Sequence, residues 1–504
     1  MTDQLYIGID SGTQGAKAVV LSAVSGNILA VSYQSYAMIE NGKGGREQHP
    51  KSWIRACRKI LSDVLATPEV SPAEVRAIGV SGQQHGMVPL DSNGHVIRPA
   101  KLWCDTETFN QCQAITQRVG GESAVLEKIG NHIAVGFTAS KILWMQENEP
   151  ENFEKMETVL LPHDYINFWL TGEKATEYGD ASGTAYFDVV NRTWSEDMLQ
   201  AIDPSGRLKA CLPTLKKSVE PVGTLRKELT KELGLPDSVL VSSGGGDNMM
   251  AAIGTGNVSE GVVTASFGTS GTIYAYSANP VVDKNGEIAA FCSSTGGWLP
   301  LICTMNVTVA TELARNLFDL SIDEMNRLAM QVEPGAAGLI LLPYFNGERT
   351  PALPTATATL AGLTGLNMRT DAICRASMEG ATFSLRYGLD LIRRNGINPQ
   401  EFRLTGGGAK SKLWRQIAAD VFNGEVVCLA HEEAGATGAA LQALWCDMNY
   451  FGRTISIEEV TRRYVKLDPK RRHLPTSPAV ERYDEIYQKY LALNDALGST
   501  YTVN

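Results

Sequence analysis

Asp247 stands where few carboxylates do: Gly244, Gly245 and Gly246 precede it, Asn248 follows, and the run SVLVSSGGGD ends an apolar strand where a helix is expected to start. An aspartate at such a junction can cap the helix N-terminus. It can also take the proton of an attacking hydroxyl, because the glycines let a ligand approach the backbone closely. With a reference pKa of about 3.9 it is expected to be ionised at neutral pH. A base of that modest strength suffices for phosphoryl transfer, in which positioning and charge neutralisation do most of the work.

Two glycine-rich hairpins supply the complementary chemistry. DSGTQG (10–15) and FGTSG (267–271) share a G-T-x-G core between two strands. Such turns leave backbone N–H groups unobstructed, a concave site for anions. One such loop is as well explained as a plain hairpin turn. Two at equivalent places suggest facing loops that clamp one triphosphate, through Gly12, Thr13 and Gln14 on one side and Gly268, Thr269 and Ser270 on the other. Asp10, at the strand end before the first loop, is placed to hold Mg²⁺ directly or through water. The second loop has Ser266 there, so the metal is expected nearer the first half.

SGQQHG (81–86) places Gln83, Gln84 and His85 at a strand's C-terminal end, where α/β sheets bind ligands, and polar side chains there suit sugar hydroxyls. LWCDTET (102–108) adds Trp103 and Asp105, an aromatic face and an acceptor. Alone, His85 would read as a structural histidine and Trp103 as core. TGGGAKSKLW (405–414) lacks the G-x-G-x-x-G spacing and the acid about 20 residues on that a dinucleotide fingerprint needs. Its Gly407, Gly408 and Ala409 fit better as a helix start beneath a nucleotide's ribose or adenine.

The elements that must position these groups recur. LYIGID, AKAVVLS and NILAVSYQSY read as an antiparallel meander, residues 51–65 as a helix with apolar Trp53, Ile54, Cys57, Leu61 and Val64, and VRAIGVSG (75–82) as a strand. The same grammar restarts after about 240, with helices near 308–330 and 370–395 and the strand FRLT. We therefore expect an α/β chain built twice, 1–245 carrying the sugar site and first loop, 246–504 the second loop, the adenosine site and a C-terminal helix. VEPVGTLRKELTKELGLPDS (219–238) reads as a connecting segment, and 476–497 as a charged surface helix with a Tyr and Leu inner face. At 504 residues the chain exceeds one ordinary core. A net charge of -10 argues against a nucleic-acid groove. Nine scattered cysteines without a CxxC pair argue against zinc or disulfides. The N-terminus lacks a signal peptide's basic and apolar regions, and no apolar run is long enough to span a bilayer, so a cytoplasmic protein without membrane partners is expected.

These motifs resemble the FGGY carbohydrate kinases, members of the actin, hexokinase and Hsp70 superfamily, over nearly the whole chain. GFTASKILWMQEN (136–148) matches that family's first signature through Gly136, Thr138, Lys141, Trp144 and Asn148. AGLTGLNMRTDAICRASMEG (361–380) is similar to the second, from Gly362 and Leu363 through Ala376 to Glu379 and Gly380. It departs at Ala372, read as a variation on a loop surface, and LLPYFNGERTP (341–351) is similar to the segment before it. The resemblance implies two duplicated ribonuclease H-like domains with a cleft between them. It implies ATP and Mg²⁺ as cofactors, Asp10 near the metal, Gly12 to Gln14 and Gly268 to Ser270 near phosphates, Gly407 to Ala409 near adenosine, and Asp247 as base. GQQHG followed by RPAKLWCDTET is most similar to the members acting on D-xylulose, with Gln84 and His85, joined by Trp103, Asp105 and Asn248, on the ketose. The scaffold is shared by kinases of ribulose, L-xylulose, fuculose, gluconate and glycerol, and by non-catalytic ATP switches, whereas Asp247 and the sugar-type cluster favour an enzyme. A small sugar and ATP are the expected partners, and a homodimer is compatible with the sequence.

Overall fold

The computed structural model describes residues 3–498, 500 and 501, so the extreme ends of the two expected segments lie outside the described residues. Two compact units emerge. The first takes residues up to 259, 277–299 and 433–465; the second takes 260–276, 300–432 and 466 onward. The chain thus passes between units several times, where one passage near 245 was expected.

Unit one is organised on strands β1 (Leu5–Ser11), β2 (Gly15–Ser22), β3 (Ile28–Ser35), β4 (Val75–Gly82), β5 (Pro221–Thr224) and β6 (Leu240–Ser242), in the order β5-β6-β4-β1-β2-β3. The meander β1-β2-β3 is antiparallel, β4 runs parallel to β1, β6 parallel to β4, and β5 closes the edge antiparallel. Unit two has β7 (Val262–Phe267), β8 (Gly271–Ala275), β9 (Leu301–Thr304), β10 (Glu401–Thr405), β11 (Glu425–Leu429) and β12 (Leu467–His473). Its order β12-β11-β10-β7-β8-β9 repeats that of unit one with the same sense at every pairing. The inferred duplication is therefore real at the level of topology.

The central strands read as apolar runs because they are covered on both faces. Helix α1 (Pro50–Leu65) buries Cys57, Ile60, Leu61 and Val64 beside Ile7, Ile9, Ala18 and Val20, and Trp53 in a second cluster with Val88, Leu90 and Leu102. Helix α2 (Asp247–Thr255) follows β6. Helix α3 (Thr370–Arg394) runs through the core of unit two, and Ala372, expected on a loop surface, is fully buried on it against Ala336, Leu339 and Ala376. Glu379 of the second signature bonds Arg375, Tyr483 and the Gly335 N–H, so that signature anchors the fold. Helix α4 (Lys412–Phe422) follows β10, and α5 (Ala434–Tyr450) follows β11 as α2 follows β6. The terminal helix α6 (Ser477–Gly498) buries Tyr483, Ile486, Tyr487 and Tyr490, so the tyrosines of the expected inner face are buried while Leu491, Leu493 and Leu497 are only half-buried. The supposed connecting segment is instead structured: it supplies β5 and the helix Lys227–Leu233 of unit one. Among the described residues no helix is long and apolar enough to cross a membrane.

Candidate active site

Strand register brings the acidic groups together. Asp10 on β1 pairs with Ser81 on β4, and Ser81 pairs with Gly245, so Asp10 and the glycine run before Asp247 share one row at the sheet's end. Ser81 Oγ donates to Asp10 Oδ1 at 2.7 Å. Burial holds the Asp10 carboxyl above the usual carboxylate range, Ser81 and Lys17 draw it back, and Glu433 pushes it further up. Lys17 pairs with Glu433. The start of α5 comes close to the same carboxylate: a Cβ on Gly435 would stand 2.7 Å from Asp10 Oδ2.

Asp247 is the first residue of α2 and Gly246 its N-cap, so the aspartate does not cap the helix. Its Oδ1 accepts from the Asn248 N–H at 2.8 Å and from Asn248 Nδ2 at 3.0 Å. Asn248 Nδ2 also donates to Gln84 Oε1 at 2.9 Å. Gly244 is needed for its backbone: φ is 69° and a Cβ would stand 2.4 Å from the Val80 carbonyl. Burial first, then the charge of Asp10, pushes the Asp247 carboxyl up to about 7. That corrects the expectation of a fully ionised carboxylate at neutral pH. A like charge and a poor solvent both favour the protonated form, neither of which is visible in the residue type.

The first hairpin is built as an anion cradle. Its carbonyls are drawn into the protein: Gly12 O accepts from Tyr36 Oη at 2.5 Å, Thr13 O from Gln48 Nε2 at 2.7 Å, and Gln14 O from the Tyr36 N–H at 3.2 Å. Gly12 N–H closes the turn on Gly15 O, while the N–H groups of Thr13 and Gln14 have no partner among the described residues. The second hairpin does the same in unit two, where the carbonyls of Gly268 and Thr269 accept from the N–H groups of Thr308 and Val307. The Thr269 side chain is exposed. The third expected nucleotide segment is less open. Gly407 is exposed, but Gly408 lies buried under Trp414, Ala409 is buried with its carbonyl held by Arg415, and both belong to a 3₁₀ turn that precedes α4.

The sugar-type residues divide. Trp103 is half-buried and its Nε1 donates to Thr13 Oγ1 at 2.9 Å; Thr13 Oγ1 in turn donates to Gln83 Oε1 at 3.3 Å, which ties this cluster to the first hairpin. His85 has a positive φ of 64° and Nδ1 2.9 Å from Gly183 O, with its ring 4.4 Å from that of Phe137. Lys141 of the first signature donates to the His85 carbonyl at 2.6 Å and to that of Gly136, holding this strained turn. Asp105 departs from expectation. It has no exposed surface, and its oxygens accept from Arg46 N–H, Lys101 Nζ and Glu107 N–H at 3.0, 2.9 and 3.1 Å. Lys101 also lies 4.1 Å from the Trp144 ring, so Asp105 braces the signature helix. Sequence reasoning missed Ser81, the Tyr36 and Gln48 donors, and the buried acids near His163; Ser81 and Tyr36 lay inside segments already quoted, SGQQHG and NILAVSYQSY.

Duplicated sheets of this order, each ending in an open N–H cradle, form a scaffold shared by nucleotide-using phosphotransferases and ATP switches, and the paired acids in one unit suit the former. The chain belongs to the FGGY family of carbohydrate kinases, whose N-terminal domain matches residues 5–254 and whose C-terminal domain matches 263–446. Members use ATP and a sugar. Among its relatives is the xylulose kinase of Haemophilus influenzae, 46% identical over 97% of this chain and 99% of that one. Among solved structures, a "xyloylose kinase" from Brucella ovis superposes with a TM-score of 0.92 at 29% identity, covering 99% and 100% of the two chains. The xylulose kinase from Bifidobacterium adolescentis gives 0.81 at 31%, covering 96% and 99%.

Proposed function

We propose that the protein transfers the γ-phosphoryl group of Mg-ATP to the C5 hydroxyl of D-xylulose, giving xylulose 5-phosphate, with Asp247 as general base. The observation that carries this is the set Asp10, Asp247, Asn248 and Gln84, joined by strand register and hydrogen bonds in unit one. Asp247 takes the hydroxyl proton as the oxygen–phosphorus bond forms and ADP leaves. Asn248 and Gln84 orient the ketose, with His85 and Trp103 beside them; Asp105 acts at one remove, by fixing Lys101. The open N–H groups at Thr13 and Gln14, and those of Gly268 to Ser270, bind phosphate oxygens, and the exposed Gly407 edge meets the adenosine. A cytoplasmic location fits ATP as the donor. The relatives named xylulose kinase favour D-xylulose over other polyols.

Magnesium fits the donor set. Asp10 offers a hard carboxylate, and the charge by which it raises Asp247 is one a divalent cation relieves. Among the described residues no three or more His, Cys, Asp or Glu form a metal cage. Asp10 would therefore hold an ion that takes its other ligands from water and phosphate, as Mg²⁺ does. Bound there, the ion would neutralise charge on the phosphates.

The test is ADP release from Mg-ATP across D-xylulose, L-xylulose, D-ribulose, L-ribulose, L-fuculose, gluconate and glycerol. Strong stimulation by D-xylulose alone is expected. Preference for another member overturns the sugar, and no stimulation by any overturns the kinase reading.

A further inference from the structure

A buried acid cluster lies beneath the glycine run that carries Asp247, and the proposed chemistry leaves it unused. His163 is the second residue of the helix Pro162–Thr171 and Asp180 sits in the helical turn Tyr178–Ala181; neither has exposed surface. His163 Nδ1 is 2.5 Å from Asp180 Oδ2, and its Nε2 is 3.0 Å from Asp164 Oδ1. Glu177 accepts from the N–H groups of Gly179 and Asp180 at 2.8 and 2.6 Å. The cluster touches the strand ends themselves: a Cβ on Gly82 would stand 2.8 Å from His163 Cβ, and one on Gly244 3.2 Å from His163 Cδ2. Burial pushes Asp164 and Glu177 up to about 7 and Asp180 well above its usual range. So many acids in a dry site are costly, and an apolar filling would be more stable.

The second oxygen of Asp180 explains what the cluster can do. Asp180 Oδ1 and Gln84 Nε2 are both buried and neither has a closed hydrogen bond. The Gln84 side chain is nonetheless near enough to draw the Asp180 carboxyl back down. With His163 on Oδ2, Oδ1 is an acceptor. An amide has one donating and one accepting end, so an acceptor at Asp180 turns the Gln84 nitrogen toward it and the Gln84 oxygen toward Asn248. Asn248 must then present its nitrogen to both Gln84 Oε1 and Asp247 Oδ1, as observed at 2.9 and 3.0 Å. Its oxygen is left for a ligand hydroxyl.

The geometry points to Asp180, held by His163, as a positioning residue that sets the amide orientation of Gln84 and, through Asn248, aligns the Asp247 carboxylate with the attacking sugar hydroxyl. This role rests on Asp247 being the base. The test is an exchange of acid and amide, because both side chains keep their size. Gln84→Glu sets two acceptors against each other and lowers kcat/KM for the sugar about a hundredfold. Adding Asp180→Asn supplies a donor to the new carboxylate, whose other oxygen still accepts from Asn248, and restores kcat/KM to within about fivefold of the parent. Asp180→Ala alone lowers the sugar kcat/KM about tenfold while the KM for ATP stays within about twofold. A double variant no better than Gln84→Glu overturns the proposal. So does an Asp180→Ala variant whose sugar and ATP constants change alike. Turnover surviving Asp247→Ala would instead overturn the base assignment, whereas an unrescued exchange with Asp247 still essential overturns the role of Asp180 alone.

Discussion

The ends of the two central sheets are built to one plan and carry different chemistry. In unit one the strand before the hairpin ends on Asp10, the parallel neighbour leads into SGQQHG, and the next leads into GGGD. The corresponding places of the second sheet hold Ser266, TGGGA and the segment 430–433 before α5. Both hairpins turn their carbonyls inward and leave N–H groups open. Backbone topology alone therefore builds an anion cradle, and building it twice costs no acidic residue. What distinguishes the halves is which side chains stand at the row beyond the cradle: the first sheet places the aspartates Asp10 and Asp247 there, the second Ser266 and TGGGA, with Glu432 and Glu433 in the segment before α5.

The sharpest way to break this comparison is to remove the acid. Asp247→Ala is expected to lower kcat about a thousandfold, the range of a lost general base, while ATP affinity changes little; near-normal sugar phosphorylation by that variant would remove Asp247 from its role. Next comes the metal. Asp10→Asn is expected to raise the Mg²⁺ concentration for half-maximal activity about tenfold, the loss of one charged contact. Ser266→Ala, at the equivalent place in unit two, should leave the Mg²⁺ titration where it was, and a shift in the second variant but not the first would reverse the assigned asymmetry.

The acid pair also predicts a pH dependence. A carboxyl raised to about 7 is protonated below that pH and cannot accept a proton. The logarithm of kcat/KM for the sugar is therefore expected to fall by about one unit per pH unit below about 7. Because the charge of Asp10 contributes to the elevation, Asp10→Asn should move the break to lower pH; a break that stays put would uncouple the two groups. The stability effect has the opposite sign. The folded state holds this proton more tightly than the unfolded chain, so stability is present in acid and is lost as pH rises from about 4 to about 7. Asp247→Asn should melt above the parent at pH 8 and converge with it near pH 4.

Much of the fold was legible because its signals are local. The strand Val75–Gly82 coincides with the segment read from VRAIGVSG, and the meander and α1 follow from periodicity and turn residues. The passage of α5 back into unit one was not legible, since it depends on packing between segments nearly two hundred residues apart: Gly438 approaches the Met250 carbonyl of α2. At the site, residue type and glycine context pointed to Asp10 and Asp247, but not to environment. Asp105 has the right type for a sugar acceptor and is sealed behind Lys101, Arg46 and Glu107. Gly408 and Ala409 read as open and are covered. Burial is a property of what other segments bring, and no motif encodes it.

The smallest expected effect separates two hydroxyls that the sequence makes look alike. Thr13 and Thr269 hold the same place in the G-T-x-G core, yet the Thr13 hydroxyl is committed to Trp103 and Gln83, while Thr269 is exposed and its side chain has no partner among the described residues. Thr13→Val removes an acceptor from the Trp103 indole and is expected to cost about 1 kcal/mol, lowering the melting temperature by about 2 °C. Thr269→Val removes nothing from the protein, so melting should not change, but a hydroxyl free to reach a phosphate oxygen is lost and the KM for ATP should rise about threefold to tenfold. Calorimetry and steady-state kinetics on the two variants read the difference directly. Should Thr13→Val raise the KM for ATP as much as Thr269→Val and leave melting unchanged, the two hairpins would be equivalent in side chain as well as backbone, and the functional asymmetry would reside in the acids alone.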